Sequence, residues 1–351
     1  MKIKSLLIGS AALMTASTGA YAADAIVMAE PEPVEYVRVC DVYGAGFFYI
    51  PGTETCLKIG GYVRFEVRAT AGFAGYWTRS RFTPTFDARS ETEWGTLRGY
   101  AEVEMNYDSL NVVNAAGVLA PTGNYFNLAH AFIEVIGGSG TLRIGRTHSP
   151  YSRFLGYGGP GTNDGAYGFN NTQEISYTFA GSNGFSAIVA LVENSRVNGG
   201  VGFANSWATN VEAGVNFAQG WGSIGAIAGY DGFNNQWGAK AVARFNGGNG
   251  FSAGLHVFYA SGGAGTFNTY RVSANQLNWS ALGHVNFAFS PKAAVFASAQ
   301  WFDNSVWAFV GGVAFTPAPG LLIRPEVTYT TAGAAGGAGV WGGLVRVQRS
   351  F

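Results

Sequence analysis

The chain is poor in charge for its size, and it lacks any long hydrophobic run beyond its first residues. Only 12% of its 351 residues are Asp, Glu, Lys or Arg, where a soluble domain carries about 25%. A composition so low in charge belongs in a membrane. Yet the longest charge-free apolar stretches, VWAFVGGVAF (306–315) and TTAGAAGGAGVWGGLV (330–345), cannot be helical spans. They are too short for the roughly 20 residues that crossing requires, or are dominated by glycine, a poor helix former. A basic surplus is also absent: without Lys2 and Lys4, 19 basic residues stand against 21 acidic, a formal charge of −2. That balance excludes a polybasic nucleic-acid binder.

Cysteine is almost missing. Cys40 and Cys56 are the two present. No histidine lies near them and two thiolates do not complete a zinc site, so in an exported protein they read as one disulfide closing a short loop. Export itself is expected from residues 1–22. Lys2 and Lys4 precede an apolar core from Leu6 to Ala16, and Ala20-Tyr21-Ala22 fits the small-x-small cleavage site of a signal peptide. The apolar run is too short for an N-terminal anchor. An exported, low-charge chain without helical spans has one membrane solution, a closed β-barrel, because only closure satisfies every backbone group in lipid.

What is present fits that solution. There are 52 glycines, and 15% of residues are aromatic. In LKIGGYVRFEVR, Leu57, Ile59, Gly61, Val63, Phe65 and Val67 take one face, and Lys58, Gly60, Tyr62, Arg64, Glu66 and Arg68 the other. Such period-two alternation is a strand between two different surroundings. The stretch 81–91 repeats it, with Phe82, Pro84, Phe86 and Ala88 against Arg81, Thr83, Thr85, Asp87, Arg89 and Glu91. So does LRGYAEVEMNYD (97–108), where Leu97, Val103 and Met105 oppose Arg98, Glu102 and Glu104. One such strand suits a soluble sandwich as well as a barrel; the number of strands and the connection lengths separate the two.

Short turns are expected at TEWG (92–95), GGSG (137–140), GSNG (181–184), QGWG (219–222), GGNG (247–250), SPK (290–292) and TPAPG (316–320), all rich in turn formers. Longer connections fall near 69–78, 109–125, 148–172, 195–208, 230–236, 261–273, 302–306 and 332–340. Seven short turns alternating with eight longer loops join sixteen strands. The predicted fold is therefore all-β, a 16-stranded antiparallel transmembrane β-barrel with short periplasmic turns and long extracellular loops. Its organisation is a signal peptide (1–22), a periplasmic-side segment with the disulfide loop (23–56) and the barrel (57–351). Sixteen strands enclose an aqueous channel. Trp94, Trp221, Trp301, Trp307 and Trp341 fall near strand ends, where interfacial aromatic girdles belong. The last strand alternates through Val345, Val347 and Phe351, facing lipid, with Arg346 and Gln348 inward. Arg349 breaks that parity and is expected to snorkel to water.

VCDVYGAGFFYIPGTETCLKIGGYVRFEVR (39–68), FDARSETEWGTLRGYAE (86–102), TLRIGRTHSPYSRF (141–154) and the terminal VQRSF together resemble the alphaproteobacterial general porins. The resemblance runs over essentially the whole chain after the leader. It implies a homotrimeric pore in the outer membrane of a Gram-negative bacterium, passing small hydrophilic solutes and ions by passive diffusion. It implies contact with outer-membrane lipid and lipopolysaccharide, and a terminal Phe351 read by the barrel assembly machinery. It further implies that the third long loop, here SPYSRFLGYGGPGTNDGAYGFNN (149–171), folds inward and narrows the pore.

That loop's one clear carboxylate is Asp164. Across from it Arg64, Arg68, Arg81, Arg89, Arg98 and Arg143 form an expected basic wall. Arg146, of the wrong parity but near a strand end, is included as a residue that turns inward. Opposed charges at a constriction filter solutes by size and charge; the plainer role of each arginine is a cross-strand pair with Glu or Asp. A formal charge of −2 with both signs in the lumen points to weak cation preference. The Gly-rich loop lacks the GK[ST] ending of a phosphate cradle. His130, His148, His256 and His284 are scattered, with no Ser/His/Asp constellation visible. No metal site, cofactor or catalytic residue is therefore assigned, and no nucleic-acid partner. The runner-up reading is a substrate-specific channel, for instance for sugars; a barrel enzyme or an adhesin is favoured less.

Overall fold

The computed structural model describes residues 38–72, 75–109, 124–193, 197–198, 201–202, 207–263, 266–272, 277–333 and 336–351. The signal peptide and the first part of the 23–56 segment lie outside them. Residues Val39–Phe351 form one compact unit.

Sixteen strands build its wall: β1 (Cys56–Thr70), β2 (Tyr76–Thr92), β3 (Gly95–Asp108), β4 (Asn124–Gly137), β5 (Gly140–His148), β6 (Asn171–Ala180), β7 (Phe185–Val192), β8 (Asn210–Gln219), β9 (Gly222–Asp231), β10 (Gln236–Gly248), β11 (Phe251–Ala260), β12 (Trp279–Ser290), β13 (Ala293–Phe302), β14 (Trp307–Ala318), β15 (Leu321–Thr330) and β16 (Val340–Ser350). Each is antiparallel to the next, and β16 pairs with β1 from Gly342↔Thr70 to Ser350↔Tyr62. The sheet is closed and has no free edge. All seven expected short turns join successive strands. The first outer connection is shorter than expected, five residues (71–75) in place of 69–78, because ladder pairing carries on through Arg68↔Trp77 and Ala69↔Tyr76.

Alternation sorts the side chains as the pattern requires. Ile59, Val63, Phe65, Phe82, Phe86, Ile133, Ile144, Val327 and Val345 are exposed on the outer face, where lipid covers them. Glu66, Asp87, Glu134, Glu174, Glu212, Lys240 and Glu326 are buried within. Trp94, Trp221, Trp307 and Trp341 stand exposed at strand ends, and Trp237 and Trp279, absent from the expected set, join them. The rings run in contact around one rim: Trp237 lies 4.6 Å from Tyr259, Tyr259 4.7 Å from Trp279, and Tyr329 4.6 Å from Trp341. Trp301 is half-buried, opposite Trp307.

The N-terminal segment is tied to β1. Cys40 and Cys56 form a disulfide with their Cα atoms 6.0 Å apart. It is buried with Phe47, and the two-residue strand Phe48–Tyr49 pairs with Leu57 and Cys56. Lys58 donates to the Ala45 carbonyl at 3.1 Å, and the Arg89 guanidinium lies 5.1 Å from the Phe47 ring.

The chain's end is held where the sheet closes. Phe351 N–H donates to Gly61 O at 3.0 Å, Gly61 N–H donates to Phe351 O at 3.1 Å, and the Phe351 ring stacks on Phe82 with centroids 6.5 Å apart. Arg349 does reach polar surroundings, donating to the Pro319 carbonyl of a short turn at 2.7 Å. Gly61 has φ +143°, and a Cβ there would sit 2.1 Å from Thr83 O. Only glycine fits between the closing strand and β2. Gly61→Ala is therefore expected to lower the yield of heat-modifiable, folded barrel severely, read by electrophoretic mobility with and without boiling. A normal yield would show that the seam tolerates the displacement.

Candidate functional site

The inner face of the barrel has two halves of different chemistry. From β7 to β12 apolar side chains, Ile188, Ile227, Val242, Phe258 and Leu282, are buried among isolated polar ones such as Glu212, Lys240 and His256. From β15 through β16 and on to β5 it is lined with arginines and carboxylates.

The third outer loop (149–170) lies on the apolar half. Its first residues form a short helix, α1 (Pro150–Arg153), capped by Ser149 with Pro150 at its first position. Tyr151 and Leu155 sink into a cluster with Ile188, Ile227, Val242 and Tyr270. Two buried charges of the wall hold this end. Glu212 Oε2 accepts from Tyr151 N–H at 2.6 Å, and Lys240 Nζ donates to Ser152 O at 3.2 Å and Gly156 O at 3.3 Å. Each charge thus satisfies loop backbone groups that have no partner in regular structure. Arg153 pairs with Glu174, and Arg244 donates to Tyr157 O at 2.7 Å. The loop then follows the wall. Gln300 makes a two-way bond with Ala166, at 2.9 Å and 2.7 Å. Glu326 of β15 accepts from Thr162 N–H at 2.6 Å and Asn163 N–H at 3.4 Å.

Asp164 sits within the loop and accepts a 2.6 Å bond from the Tyr167 hydroxyl. Burial raises its carboxyl above the usual aspartate range, against the Tyr167 bond that lowers it. Burial, followed by the nearby Asp164 charge, raises the Tyr167 phenol, which stays a neutral donor.

A second outer connection also folds inward. Between β11 and β12, Tyr270 and Val272 are fully buried against the two loop clusters. Asp231 fixes this loop by accepting from Thr269 N–H at 3.1 Å and Thr269 Oγ1 at 2.7 Å.

The arginines expected from the sequence occupy the other half, and nearly all hold carboxylates. Arg89 and Arg98 converge on Asp87 at 2.8 Å and 2.9 Å; Arg98 and Arg143 converge on Glu134 at 2.8 Å and 2.7 Å. Arg68 and Arg346 share Glu66 at 2.8 Å and 2.6 Å, with Arg64 at 3.9 Å. Arg81 pairs with Glu104. These guanidinium side chains keep 11–24% of their surface exposed, Arg81 the least and Arg68 and Arg89 the most. Arg146 stands apart from them. It keeps the outward parity, opposite Ala131 and Gln173, and donates to the Leu128 carbonyl at 2.7 Å. The inward turn expected of it does not occur, because that carbonyl satisfies the guanidinium without one.

Sequence reading missed Glu212, Lys240, Gln300 and Glu326, which secure the loop, and Arg324. A signal existed in each: a charge or amide at inward parity on a strand with at most one other charge, as in NVEAGVNF or GAKAVARF.

A sequence-family model described as "Porin subfamily" matches residues 24–342. The Omp2b porins of Brucella canis and Brucella abortus are 40% identical to this chain over 373 aligned residues, spanning the whole of both sequences. The chain belongs to the porin family. This porin is an outer-membrane channel for diffusion, and porins of the family are generally trimeric channels for small solutes. Among solved structures, the DcaP outer-membrane channel of Acinetobacter baumannii superposes with a TM-score of 0.64 at 13% identity, covering 86% of this porin and 99% of that chain. A mutant of the Rh. blastica porin gives 0.58 at 16%, covering 84% and 100%. At such identities the likeness speaks for the barrel fold alone.

The carboxylate of Glu326 secures the loop tip, and a charged acceptor of this kind contributes about 1.5–3 kcal/mol. Glu326→Gln is expected to free the tip, giving noisier single-channel currents and closure at lower voltage with an unchanged thermal midpoint of the barrel. Currents as quiet as those of the wild type would show that the remaining anchors suffice.

Proposed function

We propose that solutes pass between the inward loop and the arginine-bearing wall, and that this gap sets the size and charge limits of diffusion. The observation that carries the reading is the asymmetry of the lumen. The loop is bonded to the wall through Glu212 and Lys240 of the first half, through Gln300, and through Glu326 at the near edge of the second, while Arg64, Arg68, Arg81, Arg89, Arg98 and Arg143 farther along the second remain partly open to water. Asp164 and these arginines would orient dipolar solutes across the passage. Arg146 belongs to the outer surface in this reading and not to the filter.

We read the protein as a channel without catalytic activity. His130 contacts the Thr147 hydroxyl at 2.9 Å and His148 the Tyr157 hydroxyl at 2.6 Å. Among the described residues no carboxylate is hydrogen-bonded to any of the four imidazoles, as an oriented general base would need. Association as a homotrimer, contact with lipopolysaccharide at the outer rim and delivery by a cleaved signal peptide complete the proposal. So does recognition of the exposed Phe351 by the assembly machinery.

The test is single-channel conductance of the purified protein in a planar bilayer. Large ohmic steps that close in three levels under voltage are expected. Silent or very small channels would mean that the two inward loops seal the lumen. A second measurement concerns pH. Because burial raises the Asp164 carboxyl, acidification protonates it at a higher pH than a free aspartate, removing the loop's negative charge. The reversal potential across a salt gradient should shift toward anions as pH falls from 7 to 4, and Asp164→Asn should abolish most of that shift. An identical shift in the variant would place the titration elsewhere.

A further inference from the structure

Three pairs of like charges face each other directly across the sheet: Arg89 and Arg98, between β2 and β3, are bridged by Asp87, and the other two cluster around the seam. Arg64 lies opposite Arg81 between β1 and β2, and Arg324 opposite Arg346 between β15 and β16. Across the seam Arg346 is opposite Glu66 and Arg64 opposite Gln348. Four guanidinium groups thus cross four adjacent strands in neighbouring rows. Like charges placed opposite each other destabilise a sheet, so fold stability gives no reason for this arrangement.

Carboxylates do not balance it. Glu66 serves Arg346, Arg68 and Arg64 together, and Glu104 serves Arg81. Glu102 accepts from the Tyr100 hydroxyl at 3.0 Å, and Glu326 is taken by the backbone of the loop tip. Counting all of these, five arginines meet four carboxylates, and Glu102, Glu104 and Glu326 also accept from other donors. Arg324 has no acceptor among the described residues, and its Nε is buried without one. It lies two residues from Glu326 on the same face of β15, beside the point where the loop tip meets the wall.

We propose that Arg324, Arg346, Arg64 and Arg81 form a binding subsite for a free tetrahedral oxyanion of the inorganic phosphate type. The planar forks of arginine match such oxygens two at a time, and rings of arginine favour anions and phosphate in pores. The preference is opposite in sign to the one suggested by the formal charge of the chain. It rests on the reading of the lumen as an open, water-filled passage, and it adds to that reading a saturable step at one place in the wall.

The experiment is chloride conductance of the whole protein in a planar bilayer with inorganic phosphate added at pH 8. Phosphate is expected to lower the chloride current along a saturating curve. Arg324→Gln should raise the half-blocking concentration tenfold or more, and Arg324→Lys should raise it less. Lys292→Gln, on a short turn outside the lumen, should leave it unchanged. Open channels whose current is indifferent to phosphate overturn this inference alone. Equal weakening of the block by Lys292→Gln overturns it too, since it would reveal only the general charge of the protein. A protein that passes no current overturns the diffusion reading and this one with it.

Discussion

In hydrocarbon no water is present to bond an exposed backbone N–H or C=O, and each unsatisfied group costs several kcal/mol. Every other feature of this porin depends on meeting that constraint. The sheet can meet it only by returning to its first strand, so β16 pairs with β1 from Gly342↔Thr70 to Ser350↔Tyr62. The seam then imposes its own requirements: a glycine at 61 where the closing strand crowds β2, a final residue bonded in both directions to that glycine, and an arginine at 349 that finds a turn carbonyl and not lipid. The disulfide loop attaches to the start of the same strand.

Closure encloses a space, and the inner face decides how that space is used. Where the inward side chains of β7–β12 are apolar, leaving them against water would forfeit about 25 cal/mol for every Å². The third loop and the loop carrying Tyr270 cover them. Covering them takes loop backbone out of water, and the buried ends Glu212, Lys240, Gln300 and Glu326 supply the bonds that backbone would otherwise lose. The other half keeps its charges wet. There Glu66, Asp87 and Glu134 are each shared among two or three arginines, while Glu104 and Asp108 hold one each. The solved porins and channels superpose at identities below 20%; the backbone constraint leaves the choice of inner and outer side chains wide.

Alternation is a local property, and local properties were legible. Leu57 to Arg68 declares its two faces within twelve residues, and a handful of turn formers marks each short connection, so strand number, closure and the inward parity of Arg64, Arg68, Arg81, Arg89, Arg98 and Arg143 all followed from the chain read in order. β7 shows where that method stops: FSAIVALV is apolar on both faces, because one meets lipid and the other meets a loop, and alternation cannot tell these apart.

The sequence by itself therefore determined the barrel, its strand order and which residues could point inward, since a period of two and a turn are written in adjacent positions. Only the tertiary structure decided which of those inward residues are consumed by the loops and which stay free. The Glu326 bond to Thr162 spans 164 residues of chain and the Gln300 bond to Ala166 spans 134. Arg324, two residues from Glu326, lies 5.9 Å from the Phe296 ring and has no hydrogen-bond acceptor among the described residues, while Glu326 is claimed from that distance. Pairings of this kind depend on the curvature and register of a closed wall, which no stretch of the sequence encodes alone.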